Sequence, residues 1–158
     1  MNNSPRAASE TIQPHEENST RTITLDRFAI LYARIALGTA FLSAVADRFG
    51  LWGKYGGWGN FANFTKYTAE VNSFMPAAII PFLAWAATLA ELSLGILLIL
   101  GLWTRWVAFS TAALLFLFAI SMAISFGLKS PLDYSVFSAS AGALLLALYP
   151  SRSSGANS

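Results

Sequence analysis

The chain has 158 residues, of which 55% are hydrophobic and only 11% charged, with a net charge of +2. A soluble domain carries about 25% charged residues, so this composition leaves too little polar surface for a water-soluble globule. With no cysteine, disulfides, thiolate metal sites, iron–sulfur clusters and cysteine nucleophiles are excluded. The single histidine, His15, lies in a polar N-terminal stretch, so neither a metal site nor an imidazole haem ligand within the membrane is expected. The basic residues form no cluster, and no nucleic-acid partner is expected.

Residues 1–26 are rich in Ser, Thr, Asn and Glu, lack an apolar period and read as a disordered tail. A signal peptide competes with that reading: Ile35 to Ser43 would be its apolar region and Ala44-Val45-Ala46 its cleavage site, behind an unusually long leading region. Four apolar stretches follow, giving an all-α membrane protein, a bundle of four transmembrane helices occupying residues 27–150. The first span runs from Phe28 to Ala46, the second from Pro76–Pro81 to Leu100, and the third from Val107 to Phe126. For the fourth, Ser130-Pro131-Leu132-Asp133 has the form of a helix start, with Ser as cap and Pro at the first helical position. Starting there makes the span long enough, up to Tyr149, for a bilayer core of about 30 Å. Residues 151–158 form a Ser/Gly-containing tail.

Between spans one and two, DRFGLWGKYGGWGN (Asp47 to Asn60) is glycine-rich and aromatic. After it, Phe61, Phe64, Tyr67, Val71 and Phe74 share one helical arc, with Asn63, Lys66 and Glu70 opposite. That pattern predicts an amphipathic helix lying at the membrane interface between helices 1 and 2. The turn GLWTRW makes spans two and three antiparallel neighbours. Counting Lys and Arg near the spans does not decide orientation; the polar tail favours cytoplasmic N- and C-termini in a multi-pass protein of the plasma or inner membrane.

Two charges lie inside apolar spans, Arg34 in the first and Glu91 in the second. Such residues cost roughly 2.5–3.5 kcal/mol at a bilayer centre, so they face the protein interior and find partners. At about 100° per residue, Arg34, Gly38, Phe41, Val45 and Arg48 form one stripe; Ala84, Ala87, Thr88, Glu91 and Gly95 form another. Arg34 lies about 10 Å from Arg27 along its helix, and Glu91 about 15 Å from Gly101, measured from the same membrane face. An intramembrane Arg34–Glu91 pair is therefore expected, supported by the small or polar face of Gly38, Thr88 and Gly95. Two readings stand open. The pair fixes helix packing, or it lines a polar pocket for a quinone headgroup, an anion or a proton.

A second polar group gathers at the opposite face: Asp47, Arg48, Trp52, Lys54, Trp58, Asp133 and Tyr134. Helix capping by Asp133 and a tryptophan belt would explain it. A surface site roofed by the glycine-rich loop, entered from the lipid by an amphiphilic substrate, is the alternative.

The Arg34-x-x-x-Gly38 start, the aromatic loop, Glu91 in the second span and the run ELSLGILLILGLWTRW, with Arg105 after its short turn, resemble the DoxX family over about residues 28–149. The resemblance implies a small four-helix membrane protein. The founding members of that family are subunits of a thiosulfate:quinone oxidoreductase, so a non-autonomous subunit or anchor of a quinone-linked oxidoreductase is the first functional expectation. It brings a possible quinone, with no covalently bound cofactor, and a redox partner subunit or homo-oligomer beside the lipid bilayer. A membrane scaffold without catalysis and a small proton-coupled transporter using Glu91 are the other expectations.

Overall fold

The computed structural model describes residues 13–149. Its contacts divide the chain into two units, Met1–Tyr32 and Ala33–Ser158. Among the described residues six α-helices follow in order: α1 (Gln13–Arg48), α2 (Phe61–Val71), α3 (Ile80–Leu100), α4 (Thr104–Phe126), α5 (Lys129–Asp133) and α6 (Val136–Leu148). No strand occurs among the described residues. Residues 13–26 continue α1 as helix, where the sequence suggested a tail; residues 1–12 and 150–158 lie outside the described residues.

Among the described residues, three helices are long and apolar enough to cross a membrane: Thr24–Arg48, Ala77–Leu100 and Thr104–Phe126. The expected fourth span is not one helix. Lys129, not Pro131, opens α5, and Pro131 is buried as its third residue. The Ser135 amide donates to the Leu132 carbonyl at 3.0 Å, and Ser135 itself takes a left-handed φ of 56° that redirects the chain into α6. The proposed capping role of Asp133 disappears with this start; Asp133 instead pairs with Lys129 one turn back, on the surface. Alone, the 13 residues of α6 rise about 20 Å, short of a core of about 30 Å.

Small residues let these helices approach closely. Ala108, Thr111, Ala112 and Ala119 on α4, and Ser140, Ala143 and Ala147 on α6, are buried. The Ser140 hydroxyl donates to the Ala112 carbonyl at 2.8 Å, a bond between helices of the kind that joins membrane spans.

Asn60 caps α2, its side chain accepting the Asn63 amide at 2.9 Å. Phe64, Thr68 and Val71 are buried, and α2 packs on α3 and α4. The apolar arc thus spends much of its surface on protein, while Asn63, Lys66 and Glu70 point out as expected. Phe74 falls beyond the helix and is exposed. At its C-terminal end, Ser125 of α4 donates to the Val71 carbonyl at 2.6 Å.

The turn from α3 to α4 is three residues long. Gly101, at φ 74°, closes α3: its amide donates to Leu97 and Leu98, and the Leu102 amide reaches back to Leu97. This is the glycine-ended C-cap in which the left-handed residue carries no Cβ penalty.

Candidate functional site

Arg48, the last residue of α1, enters the interior rather than the membrane surface. Its Nη2 donates to both carboxylate oxygens of Glu91 at 2.7 Å, and its Nη1 donates to the Thr88 hydroxyl at 2.9 Å. The Thr88 hydroxyl in turn donates to the Ala84 carbonyl at 2.7 Å. The guanidinium lies 3.8 Å from the Phe64 ring centroid and 5.5 Å from that of Trp58. Arg48 is 2% and Glu91 3% exposed, so the pair is shut off from solvent and lipid alike. A cation desolvated over an aromatic ring gains about 2 kcal/mol, which helps offset taking the guanidinium out of water.

The expected Arg34–Glu91 pair is therefore corrected: Glu91 belongs to Arg48. Arg34 instead donates from Nε to the Leu98 carbonyl at 2.9 Å and from Nη2 to Ile99 at 3.1 Å, serving the carbonyl end of α3. Side-chain direction explains the choice. Gly38 and Gly95 face each other where α1 and α3 cross: a Cβ on Gly38 would lie 2.9 Å from the Gly95 carbonyl oxygen. Counted from that crossing in antiparallel helices, Arg48 stands six residues beyond Glu91, roughly 9 Å, and Arg34 eight residues to the other side, roughly 12 Å. Helical side chains lean toward their own N-terminus. Arg48 and Glu91 consequently lean toward each other, whereas Arg34 and Glu91 lean apart.

Asp47, next to Arg48, faces the glycine-rich loop. Its carboxylate accepts three successive backbone amides, from Gly57 at 2.9 Å, Trp58 at 3.0 Å and Gly59 at 3.5 Å. Consecutive amides converging on one anion form the nest geometry. A Cβ at Gly56 would overlap the Asp47 carboxylate, which is why the loop carries glycine there. Trp52 donates from its indole nitrogen to the Ser43 carbonyl at 3.1 Å. Between them lies an open cleft of about 560 Å³, lined by Ala40, Ser43, Ala44, Asp47, Trp52 and Tyr55.

Of the second polar group, Asp47, Arg48, Trp52 and Trp58 are brought together. Lys54 rests over the Tyr55 ring, 5.1 Å from its centroid. Asp133 is held by Lys129, and Tyr134 is exposed. Tyr134 does approach Tyr67 of α2, whose ring stands 5.6 Å from that of Trp58. Burial, then the neighbouring Tyr134 and Glu70, push the Tyr67 phenol above its usual value, so it stays a neutral hydroxyl.

The model of the DoxX family matches residues 29–125. This chain belongs to the DoxX family. No curated protein and no solved structure matches it. The stretch that makes it a DoxX protein holds Arg34, Arg48, Glu91 and the loop tied by Asp47, and ends at the last turn of α4, ahead of α5 and α6.

In this DoxX protein the buried pair and the roof above it share one helix end. Asp47 fixes the backbone of Trp58, and the Trp58 ring covers Arg48. Asp47→Ala removes the acceptor of three amides. A bond to a charged acceptor contributes about 1.5–3 kcal/mol when buried, and partial exposure brings the expected loss nearer 1 kcal/mol. The expected result is roughly fivefold faster hydrogen exchange at Gly57 to Gly59, with α3 and α4 unaffected. Unchanged protection at those amides would mean that the carboxylate does not hold the loop.

Proposed function

We propose that this DoxX protein is a non-autonomous membrane subunit of a quinone-linked oxidoreductase, holding a quinone headgroup while a partner subunit supplies the electrons. The cleft beside Asp47 carries that reading. Its volume of about 560 Å³ falls in the range of roughly 300–1,000 Å³ typical of small-molecule sites. Trp52 and Tyr55 offer flat faces for a ring, Ser43 and Asp47 supply polar atoms, and Ala40 and Ala44 leave a smooth apolar wall for a prenyl tail. With no cysteine in the sequence and no His/Cys/Asp/Glu group among the described residues suited to a metal, the electron donor is assigned to the partner. In this reading the bundle crosses the plasma or inner membrane four times, with α5 and α6 together as the last crossing, α2 near the interface and both termini cytoplasmic.

Purification in native lipid followed by quinone extraction tests the proposal. Stoichiometric quinone is expected with the wild type and at least a tenfold loss with Trp52→Ala combined with Tyr55→Ala. Equal quinone content in both would remove the cleft from consideration.

A scaffold or assembly role is the second reading, favoured by the closed Arg48–Glu91 pair. Both Glu91 oxygens are taken by one guanidinium, which itself lies over the Phe64 ring, an arrangement suited to holding helices together. The same closure weighs against a transporter in which Glu91 exchanges protons with the aqueous phase.

A further inference from the structure

At the end of the bundle opposite the glycine-rich loop, two arginines have no acidic partner among the described residues. Arg34 spends Nε and Nη2 on the carbonyls of Leu98 and Ile99, and among the described residues its Nη1 has no hydrogen-bond acceptor. Its guanidinium lies directly against Gly101, where a Cβ would overlap it. The Thr104 hydroxyl donates to the Gly101 carbonyl at 3.1 Å, so the first turn of α4, which carries the exposed Arg105, starts at the same end. No Asp or Glu occurs in 28–46 or in 92–132, the stretches in which the two arginines lie. Around the arginines, Leu102 is exposed, Trp103 is 74% exposed and Trp106 73% exposed. Tryptophans so placed sit at the headgroup level of a bilayer. Two cations without a carboxylate among the described residues, only one of them offset by helix carbonyls, call for an anion supplied by the membrane itself.

We propose that Arg34, Arg105 and the flanking Trp103 and Trp106 form a binding site for the phosphate of an anionic phospholipid. Arg34 keeps its place through the α3 carbonyls and presents its free edge; Arg105 closes on the phosphate from the turn; the two indoles pack against the glycerol and upper acyl chains. Guanidinium groups suit this task because their forked donors match phosphate oxygens.

The test uses the full-length protein in detergent with added phosphatidylglycerol, phosphatidylcholine of the same chains, or inorganic phosphate. Retained lipid is counted by native mass spectrometry and stabilisation by thermal unfolding. Phosphatidylglycerol should be retained in preference to phosphatidylcholine, and Arg105→Gln should lower its retention about fivefold, the worth of one basic residue near an anionic surface. Arg34→Lys, which keeps the charge, should retain more phosphatidylglycerol than Arg34→Gln. Lys66→Gln, far along the chain on α2, should leave the preference intact. Equal retention of both lipids, an unchanged Arg105→Gln, or an equal loss with Lys66→Gln would overturn the site. Stabilisation by inorganic phosphate matching that by phosphatidylglycerol would overturn its assignment to lipid.

Discussion

Arg48→Ala is expected to remove most of the folded protein from the membrane. The substitution leaves the Glu91 carboxylate where it is, 3% exposed, with its counter-charge gone and only a helix interior around it. Breaking a buried ion pair by deleting one partner costs about 3–5 kcal/mol, because the remaining charge is stranded. That is a large share of the roughly 5–15 kcal/mol by which a domain is stable. Glu91→Gln should cost less, since the Phe64 ring still faces the guanidinium and an amide oxygen can still accept from it. Replacing both partners by apolar residues of similar size, Arg48→Met with Glu91→Leu, should recover most of the loss. The exchange of Arg34→Glu with Glu91→Arg should recover nothing, because Arg34 serves Leu98 and Ile99. Membrane accumulation and thermal unfolding in detergent measure all of these. Wild-type behaviour of Arg48→Ala would show that the pair does not hold the bundle.

Gly38→Leu should be the next most damaging change. A Cβ there would lie 2.7 Å from Ile99 Cγ1 and 2.9 Å from the Gly95 carbonyl oxygen, and the second of these is backbone. The reverse contact is close but less severe: a Cβ on Gly95 would sit 3.0 Å from Leu42 Cδ2 and 3.2 Å from the Gly38 carbonyl oxygen. Because the Gly95 oxygen is backbone and cannot turn aside, a side chain at Gly38 must lift α1 from α3. Overpacking alone costs about 1–3 kcal/mol. The lift also strains the Arg34 bonds on one side of the crossing and the Arg48 bonds on the other, so the upper end of that range is expected. Gly142→Leu on α6 is the matched control. Nothing lies within 4 Å of a Cβ at Gly142, and its thermal midpoint should stay near the wild-type value. Equal midpoints for Gly38→Leu and wild type would show that the crossing tolerates a side chain.

Helical periodicity alone revealed which faces meet. Gly38, Phe41, Val45 and Arg48 on α1, and Ala84, Thr88, Glu91 and Gly95 on α3, are all buried. It did not reveal which arginine reaches Glu91, because a wheel of positions carries angle but not the lean of each side chain along the axis. Measured from the membrane faces, Arg34 looked level with Glu91; measured from the glycine crossing, it is not. The role of Asp47 was hidden for a related reason: an acid followed by glycines gives no hint that three amides ten residues on will fold back onto it. The bend at Ser135 was equally hidden. Ser130-Pro131 resembles a helix start, and the left-handed residue between α5 and α6 is a serine, with no glycine to announce it.

Consecutive residues of opposite sign end α1, Asp47 gripping a surface loop and Arg48 gripping a buried acid. Because neighbouring positions on a helix turn together by about 100° each, neither hold can be released by rotating that last turn without releasing the other. Unroofing and loss of the internal charge contact are thereby joined in a single step, and the intermediate with a lifted loop over an intact pair requires Asp47 to let go by its side chain alone. Opening this corner through the backbone must therefore break both grips at once, so its local stability includes the two together.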